Sequence, residues 1–374
     1  MRRLIFVLIL FSLWFCGDKK TPSTTRAKIL TLGESGIEYK VAEFRHLTDV
    51  VHMDGTIATI LGGSVIDYNL SLADVISGDP NRIFKRKGST VHLDYTVIDG
   101  VITAQNQDSL AMLSVYHAFE GIVEFWTEQY HFTHKEIGKF KIHFDPSFAA
   151  SSDDMKLTIT PRMNASYFTG LGDFLLNKTS PNERIPIKMN PAVLAHEFGH
   201  KIVDILFVQK DPDFYSTKSW QAQYKIQGIN EGLADFFSWL YVQKTNLYTL
   251  SLDINSMRDR KIPVPWTMSQ LRMDASLCTG RFYCEGSVLN SALYSLSKES
   301  AFTPQIVANA TLRGLRKLRL DWQKYRDNDD FDYFYLLNRI VQELPAESQK
   351  TACSIFKKLF DDEVNQSGLK QACP

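Results

Sequence analysis

Residues 195–204 read "AHEFGHKIVD", placing His196 and His200 four apart with Glu197 beside the first. On an α-helix, positions i and i+4 lie one turn apart on the same face. The flanking residues ask for that helix. Asn190 and Pro191 form an N-cap and a first-turn proline. Val193, Leu194, Phe198, Ile202 and Val203 then repeat at helical spacing to about Phe207. Both imidazoles can face one point, which is the HExxH arrangement for a metal ion, with a glutamate placed to act as base on water. The alternative is two histidines sharing a half-buried helix, and other donors decide between the two.

A catalytic zinc takes three protein ligands and keeps one position open. An HExxHxxGxxH site would need a glycine at 203 and a histidine at 206, where the chain has Val203 and Leu206. No histidine follows His200, so a downstream third ligand must be a carboxylate or, less plausibly, a thiol. The segment "GINEGLADFFSWLY" at 228–241 is an apolar helix carrying Glu231 and Asp235 at i, i+4. Two carboxylates in such company are costly unless a metal or paired donors compensate. Glu231 as ligand, and Asp235 as acceptor for the far N–H of a ligand histidine, answer both needs.

HEFGH followed by NEGLAD resembles the gluzincin metallopeptidases, specifically the thermolysin-like group. The resemblance covers roughly 108–300. It implies zinc held by His196, His200 and Glu231, Glu197 as general base on metal-activated water, Asp235 supporting a ligand, and Asp204 at an acidic position near the site. "YHAFEGIVEFWTEQYHF" (116–132) resembles the long helix that opens the catalytic domain. "MNASYFTGLGDFLL" (163–176) resembles the substrate-binding edge strand, with Asn164 and Ala165 where peptide backbone is held. Three features depart from the pattern: Lys201 stands where an uncharged residue is usual, an inserted loop is expected around 208–227, and "GSVLNSALYSL" (286–296) has Val288 where a catalytic histidine is expected. Tyr224, Tyr283 and the other tyrosines are candidates for that missing role, with simple packing as the alternative.

The fold class expected is α+β: a thermolysin-like catalytic domain of mixed sheet and HExxH helix, then a mainly α-helical subdomain. The expected divisions are a signal peptide (1–16), a polar tether (17–25), a β-rich N-terminal segment (26–107), a zinc-binding subdomain (108–286) and a helical subdomain (287–374). "AKILTL", "ATILGGSVI" and "STVHLDYTVI" supply the β-rich reading. "DSLAMLSVYHAFEGIVEFWTEQY" at 108–130 is a strong amphipathic helix, and "KFKIHFDPS" and "MKLTITP" read as strands. Later helices are expected at 287–299, 304–320, 330–343 and 346–361.

The 374 residues are 44% hydrophobic and 22% charged with zero formal net charge. That balance suits a globular protein and gives no electrostatic case for nucleic acid. The basic run "RGLRKLRLDWQKYR" (313–326) reads as a solvated helix face. At the N-terminus, Arg2, Arg3 and the apolar run Leu4–Phe15 form a secretory signal too short to span a bilayer comfortably. Leu13-Trp14-Phe15-Cys16 resembles a bacterial lipobox, although Phe15 replaces the usual small residue. Cys16 is then the lipidated residue, with a plain signal peptide or an uncleaved anchor as the alternatives, and the expected location is the cell envelope, membrane-anchored. The remaining Cys278, Cys284, Cys353 and Cys373 are an even set in an oxidising compartment. Of their three pairings, nearness in sequence favours Cys278–Cys284 with Cys353–Cys373.

The activity expected is a zinc metalloendopeptidase acting on a peptide or protein. Its rivals are a zinc- and peptide-binding relative that does not cut, and an adhesin-like lipoprotein using the fold alone. An aminopeptidase is the runner-up among enzymes, but a GxMEN-like exopeptidase signature is absent from the sequence.

Overall fold

A computed structural model describes residues 24–33, 37–69, 84–152, 155–162, 164–181, 183–209, 220–249, 251, 261–277, 281–322 and 331–373. Eight strands come first: β1 (Arg26–Leu32), β2 (Ile37–Glu43), β3 (Leu47–Asp49), β4 (Asp54–Gly55), β5 (Ala58–Asn69), β6 (Phe84–Thr90), β7 (Tyr95–Ile98) and β8 (Val101–Ala104). Helices α1 (Gln107–Tyr130) and α2 (His134–Ile137) lead to β9 (Phe140–Phe144), β10 (Ser147–Ser152), β11 (Met155–Ile159), β12 (Ala165–Phe168) and β13 (Asp173–Leu176). Then come α3 (Pro191–Val203), α4 (Trp220–Val242), α5 (Met268–Met273), α6 (Arg281–Leu296), α7 (Pro304–Leu320), α8 (Phe334–Glu343), α9 (Ala346–Leu359) and α10 (Glu363–Gly368).

The strands form two sheets. The smaller runs β2-β1-β8-β7, and the larger runs β11-β10-β5-β9-β13-β12, with β6 and the β3–β4 pair attached through β5. Strand β5 lies parallel to both β9 and β10. Parallel neighbours need a long crossover, and the path from β5 to β9 runs through α1. The larger sheet therefore draws strands from both sides of residue 107.

Side chains reinforce that junction. The β5–β6 register shifts between Gly62 and Val65, and Gly63 has φ +58°. A bulge of this kind re-aims a neighbouring side chain, here Ser64, whose Oγ lies 2.7 Å from His143 Nδ1 on β9. His143 Nε2 is 3.1 Å from Asp173 Oδ2 on β13, and Arg86 of β6 donates to the same carboxylate. Ser64, His143 and Asp173 are all buried. On the other side, α1 holds the segment before β3: Glu120 Oε1 accepts from His46 N–H at 2.7 Å, and Tyr116 Oη donates to His46 O at 3.1 Å.

The core that seats α3 is aromatic. Phe119 of α1, Phe140 of β9, Phe174 of β13 and Phe198 of α3 meet with ring centroids 4.7 to 6.4 Å apart, and Phe174 and Phe198 stack nearly parallel. Such pairs add about 0.5–1.5 kcal/mol each beyond the area they bury.

The helical second half is tied to α4 by buried charge. Lys225 Nζ meets Glu285 Oε2 at 2.8 Å, and Arg272 bridges Asp332 and Asp362 at 3.0 and 2.5 Å. Cys353 and Cys373 are joined, as nearness in sequence favoured. Cys284 is disulfide-bonded as well, while Cys278 lies outside the described residues. The basic run is helical from Arg313 through Leu320, with Arg313 and Lys317 half exposed and both paired with Glu343, a solvated face over that part, while residues 323–326 lie outside the described residues. Several boundaries differ from the sequence reading, among them the ends at Leu296 and Leu359 where 299 and 361 were expected. The helix expected from 287 begins at Arg281, that from 330 begins at Phe334, and α4 extends back to Trp220, replacing part of the loop expected to 227. Apolar spacing marks where a helix buries its stripe, not where its backbone starts.

Asp173 accepts from two cation-capable partners inside the sheet, so losing it strands His143 and Arg86 together. Asp173→Ala should cost about 3–5 kcal/mol in denaturant unfolding, the range for breaking a buried pair. Lys139→Ala, which removes the half-exposed pair to Asp54 at 2.7 Å, should cost under about 1 kcal/mol. Equal losses for the two variants would refute this account of the junction.

Candidate metal centre

Helix α3 opens as its sequence requires: Asn190 Oδ1 accepts from Ala192 N–H at 3.0 Å, and Pro191 occupies the first turn. Asn190 Nδ2 also donates to Leu247 O at 2.9 Å, fastening the loop after α4 to the start of α3. The α3 backbone continues past Val203 as one wider turn, Asp204–Val208.

His196 Nε2 and His200 Nε2 lie 3.0 Å apart. The other ring nitrogen of each is engaged: His196 Nδ1 at 2.8 Å from Asp235 Oδ1, and His200 Nδ1 at 3.0 Å from Asn230 Oδ1. An acceptor opposite Nδ1 puts the proton there and leaves a lone pair on Nε2. Two converging lone pairs repel unless a cation lies between them. The carboxylate of Glu231 completes the convergence, with Oε2 3.4 Å from His196 Nε2 and Oε1 3.7 Å from His200 Nε2. This donor set fits a divalent metal.

Glu197 joins the same cluster: one ligand atom from each of His196, Glu197 and His200 falls within 4.8 Å of the others. Two carboxylates therefore compete for the ligand role. Glu231 faces both imidazoles, whereas Glu197 Oε2 is committed to Tyr167 N–H at 2.7 Å. Burial pushes the Glu197 carboxyl above the usual range, and Glu231 adds to the push, while the two histidines and the Tyr167 N–H pull it back. That environment suits a proton acceptor better than a ligand.

Strand β12 forms the sheet's edge on this side among the described residues. Tyr167 anchors it to α3 twice, by its N–H to Glu197 and by its Oη, which donates to Asp204 Oδ2 at 2.5 Å. Burial, together with the Asp204 charge, holds that phenol protonated. Asp204 therefore acts by tying strand to helix. Because strand backbone alternates, Ala165 turns its N–H and C=O the same way as Tyr167, toward the cleft. Asn164 instead turns its carbonyl to β13, accepting from Asn177 N–H at 2.9 Å. Lys201, the unusual charge, is buried with Nζ 5.3 Å from the Phe140 ring centroid and 5.7 Å from that of Tyr167. Aromatic faces accept a cation in this way.

The cleft has a volume of about 220 Å³. Asn164–Tyr167 and Thr169 form one wall, His196, Glu197, His200 and Glu231 the floor, and Asn230, Tyr248 and Tyr283 the opposite wall. Of the two tyrosines considered from sequence, Tyr283 reaches the cleft, while Tyr224 packs against Phe282 and does not line it. Val288 is fully buried. The sequence reading missed Asn230 and the double anchoring by Tyr167, and it did not single out Tyr248 among the other tyrosines. Asn230 had a signal, a polar residue beside Glu231 on an otherwise apolar helix.

No family model matches the chain, and no curated protein matches it. Among solved structures, the precursor of protealysin, a metalloproteinase from Serratia proteamaculans, is similar at 11% identity over 83% of this chain and 86% of that one, with a TM-score of 0.33. Superposition that loose does not establish a shared fold, and what the centre can do rests on its own geometry.

Asp235 and Asn230 each fix one imidazole. Asp235→Ala and Asn230→Ala should each lower metal affinity about 10–100-fold, as losses of such partners do. Competition titration with a chromogenic chelator reads this directly, and unchanged affinity in both variants would separate these hydrogen bonds from metal binding.

Proposed function

We propose that the chain is a zinc-dependent endopeptidase of the gluzincin kind, with His196, His200 and Glu231 as ligands and Glu197 as general base. One observation carries the reading. Two Zn–N bonds of about 2.05 Å at a tetrahedral angle put their donors about 3.3 Å apart. The three spacings among His196, His200 and Glu231 are 3.0, 3.4 and 3.7 Å. A set of two imidazoles and one carboxylate, with a cleft beside it, suits a catalytic rather than a structural zinc.

Held there, zinc would acidify water and polarise the scissile carbonyl. The chain's own groups do the rest. Glu197, held through Oε2, takes the water proton on its other oxygen and returns it to the departing amine nitrogen. Asp235 and Asn230 keep both imidazoles in the tautomer that presents Nε2. The cleft-facing backbone of Ala165 gives an extended peptide a strand edge to pair with, while the Asn164 side chain lines the same wall. A second reading, a zinc- and peptide-binding protein that does not cut, draws on one observation: Val288 is buried, so α6 brings no acid into the cleft at that position.

The chain is also proposed to be an exported lipoprotein of the cell envelope, acylated at Cys16. Residues 1–23, with Cys16 and the signal, lie outside the described residues. The pairing of Cys353 with Cys373 suits an oxidising compartment.

Purified protein should hold near-stoichiometric zinc that falls steeply in Glu231→Ala. Glu197→Gln should keep the zinc but lose about 10²–10⁴-fold in casein hydrolysis, the usual worth of a general base. Equal cleavage by that variant would disprove the chemistry, and zinc without any wild-type cleavage would select the non-cutting binder. Expressed in a bacterium, the wild type should fractionate with detergent-extractable membranes and Cys16→Ser should not. Identical partitioning of the two would remove the lipid anchor.

A further inference from the structure

A second cavity lies apart from the metal cleft, with a volume of about 520 Å³ against 220 Å³, and among the described residues none lines both. That volume is in the range of small-molecule sites. The cavity opens where the parallel strands β9 and β13 end, the side on which open sheets with parallel strands hold their ligands. Asp145 follows β9, Lys178 follows β13, and Gln107 and Asp108 from the first turn of α1 form another side. Lys188 and Met189 close it, just before Asn190 caps α3.

The charged groups of this cavity differ in what they have left to offer. Lys178 and Asp108 are exposed to solvent. Glu183 is spent on backbone, accepting from Ser180 N–H at 2.6 Å and from Ile187 N–H. Lys188 and Asp145 remain for a ligand. The Lys188 side chain is 3% exposed, with Nζ 2.6 Å from Asp145 Oδ1 and 3.9 Å from the Phe144 ring centroid. An ammonium has three N–H donors, and these contacts use two. The Asp145 carboxylate likewise keeps its second oxygen. Asp145 stands with φ +53°, and its N–H donates to Leu176 O at 2.8 Å, so the pair is fixed to the sheet. The start of α1 adds partial positive charge, which favours an anionic group. Leu30, Leu110, Ala111, Pro186 and Met189 supply apolar wall beside this polar floor. A lone anion would meet the Asp145 charge, and a lone cation that of Lys188. A head group carrying both charges meets neither penalty.

We propose that this cavity binds a free α-amino acid with an apolar side chain. Its carboxylate accepts from Lys188 Nζ, its ammonium donates to the second oxygen of Asp145, and its side chain lies along the apolar wall. An α-amino acid carries both charged groups on one carbon, which matches an acid and a base already in contact. A peptide separates its two charged ends by at least one amide, so it cannot bring both to the pair. The site stands apart from the metal centre and needs no reaction there.

The test is titration calorimetry on the full chain with L-leucine as probe, alongside glycine, L-leucinamide, N-acetyl-L-leucine and leucyl-leucine. L-leucine should bind. Leucinamide and N-acetyl-L-leucine should bind about 10–100-fold more weakly, each having lost one hydrogen bond between charged groups. Glycine should fall by a similar factor, about 10–100-fold, for want of an apolar side chain. Asp145→Asn keeps the shape and an acceptor for Lys188, so it should weaken L-leucine while circular dichroism stays native. Lys188→Met should weaken it too, and if that variant does not fold, Asp145→Asn and the analogues still decide. Zinc itself binds amino acids, so zinc-loaded and chelator-treated protein are both titrated, and their L-leucine affinities should agree. The site is overturned by any of four results: no L-leucine binding at millimolar concentration, equal affinity for leucinamide or N-acetyl-L-leucine, unchanged affinity in Asp145→Asn, or binding that disappears with the zinc. Tighter binding of leucyl-leucine would overturn the amino acid as ligand in favour of a peptide.

Discussion

The centre depends on how closely α3 and α4 can approach. A Cβ on Gly199 would stand 2.7 Å from Ala234 Cα, closer than real Cβ atoms come. Glycine at 199, between His196 and His200, lets the two helix backbones touch. That contact brings Glu231 and Asp235, which flank Ala234, to within reach of both imidazoles. Helix α6 repeats the device on the far side, where Gly232 and Gly286 oppose each other and a Cβ on Gly232 would lie 2.4 Å from Gly286 O. Three helices are thus stacked at backbone distance, and the ligand spacings follow from backbones and not from long adjustable side chains. A site built this way holds its geometry without relying on loops.

Electrostatics then chooses the role of each group. His196, Glu197 and Asp235 are all buried, a costly placement unless each polar atom has a partner. Asp235 and Asn230 each take one ring nitrogen, and Tyr167 N–H takes one oxygen of Glu197. The Nε2 of each histidine, the Glu231 carboxylate and Glu197 then converge on the cleft. Tyr167 adds the mechanical part. Its two bonds reach Glu197 and Asp204, seven residues and about two turns apart on α3, so strand and helix cannot slide past one another without breaking both.

The candidate metal centre was legible because helix periodicity converts directly into three-dimensional neighbours. His196 and His200, or Glu231 and Asp235, are close for reasons contained in a single element, and the awkwardness of two carboxylates on an apolar helix signalled a partner. Asn230 escaped notice because its role depends on how α3 and α4 cross, which neither helix states alone. The edge strand was read at Asn164 and Ala165, yet the double anchoring by Tyr167 needed the strand and helix together. Residue 107 shows the limit most plainly. Composition turns there from strand-like to helical, and that change reports local propensity. Which strands pair across it is a long-range matter that no window of sequence contains.

That pairing bears on what the N-terminal segment does. β9 and β10 follow one another along one edge of β5, with β6 on its other edge, and β9 leads through β13 to β12, the wall of the cleft. Removing β5 would expose one edge of β9 and of β10, each orphaned buried backbone group costing about 1–3 kcal/mol. It would also take Ser64 from His143, and taking β6 with it would separate Arg86 from Asp173. A lid or a detachable pro-segment is built to leave without such losses. The β5–β6 pair is instead part of the scaffold on which β12 lies against α3, so the polypeptide from residue 58 onward acts on the candidate centre through the sheet, with β9 and β13 between β5 and β12.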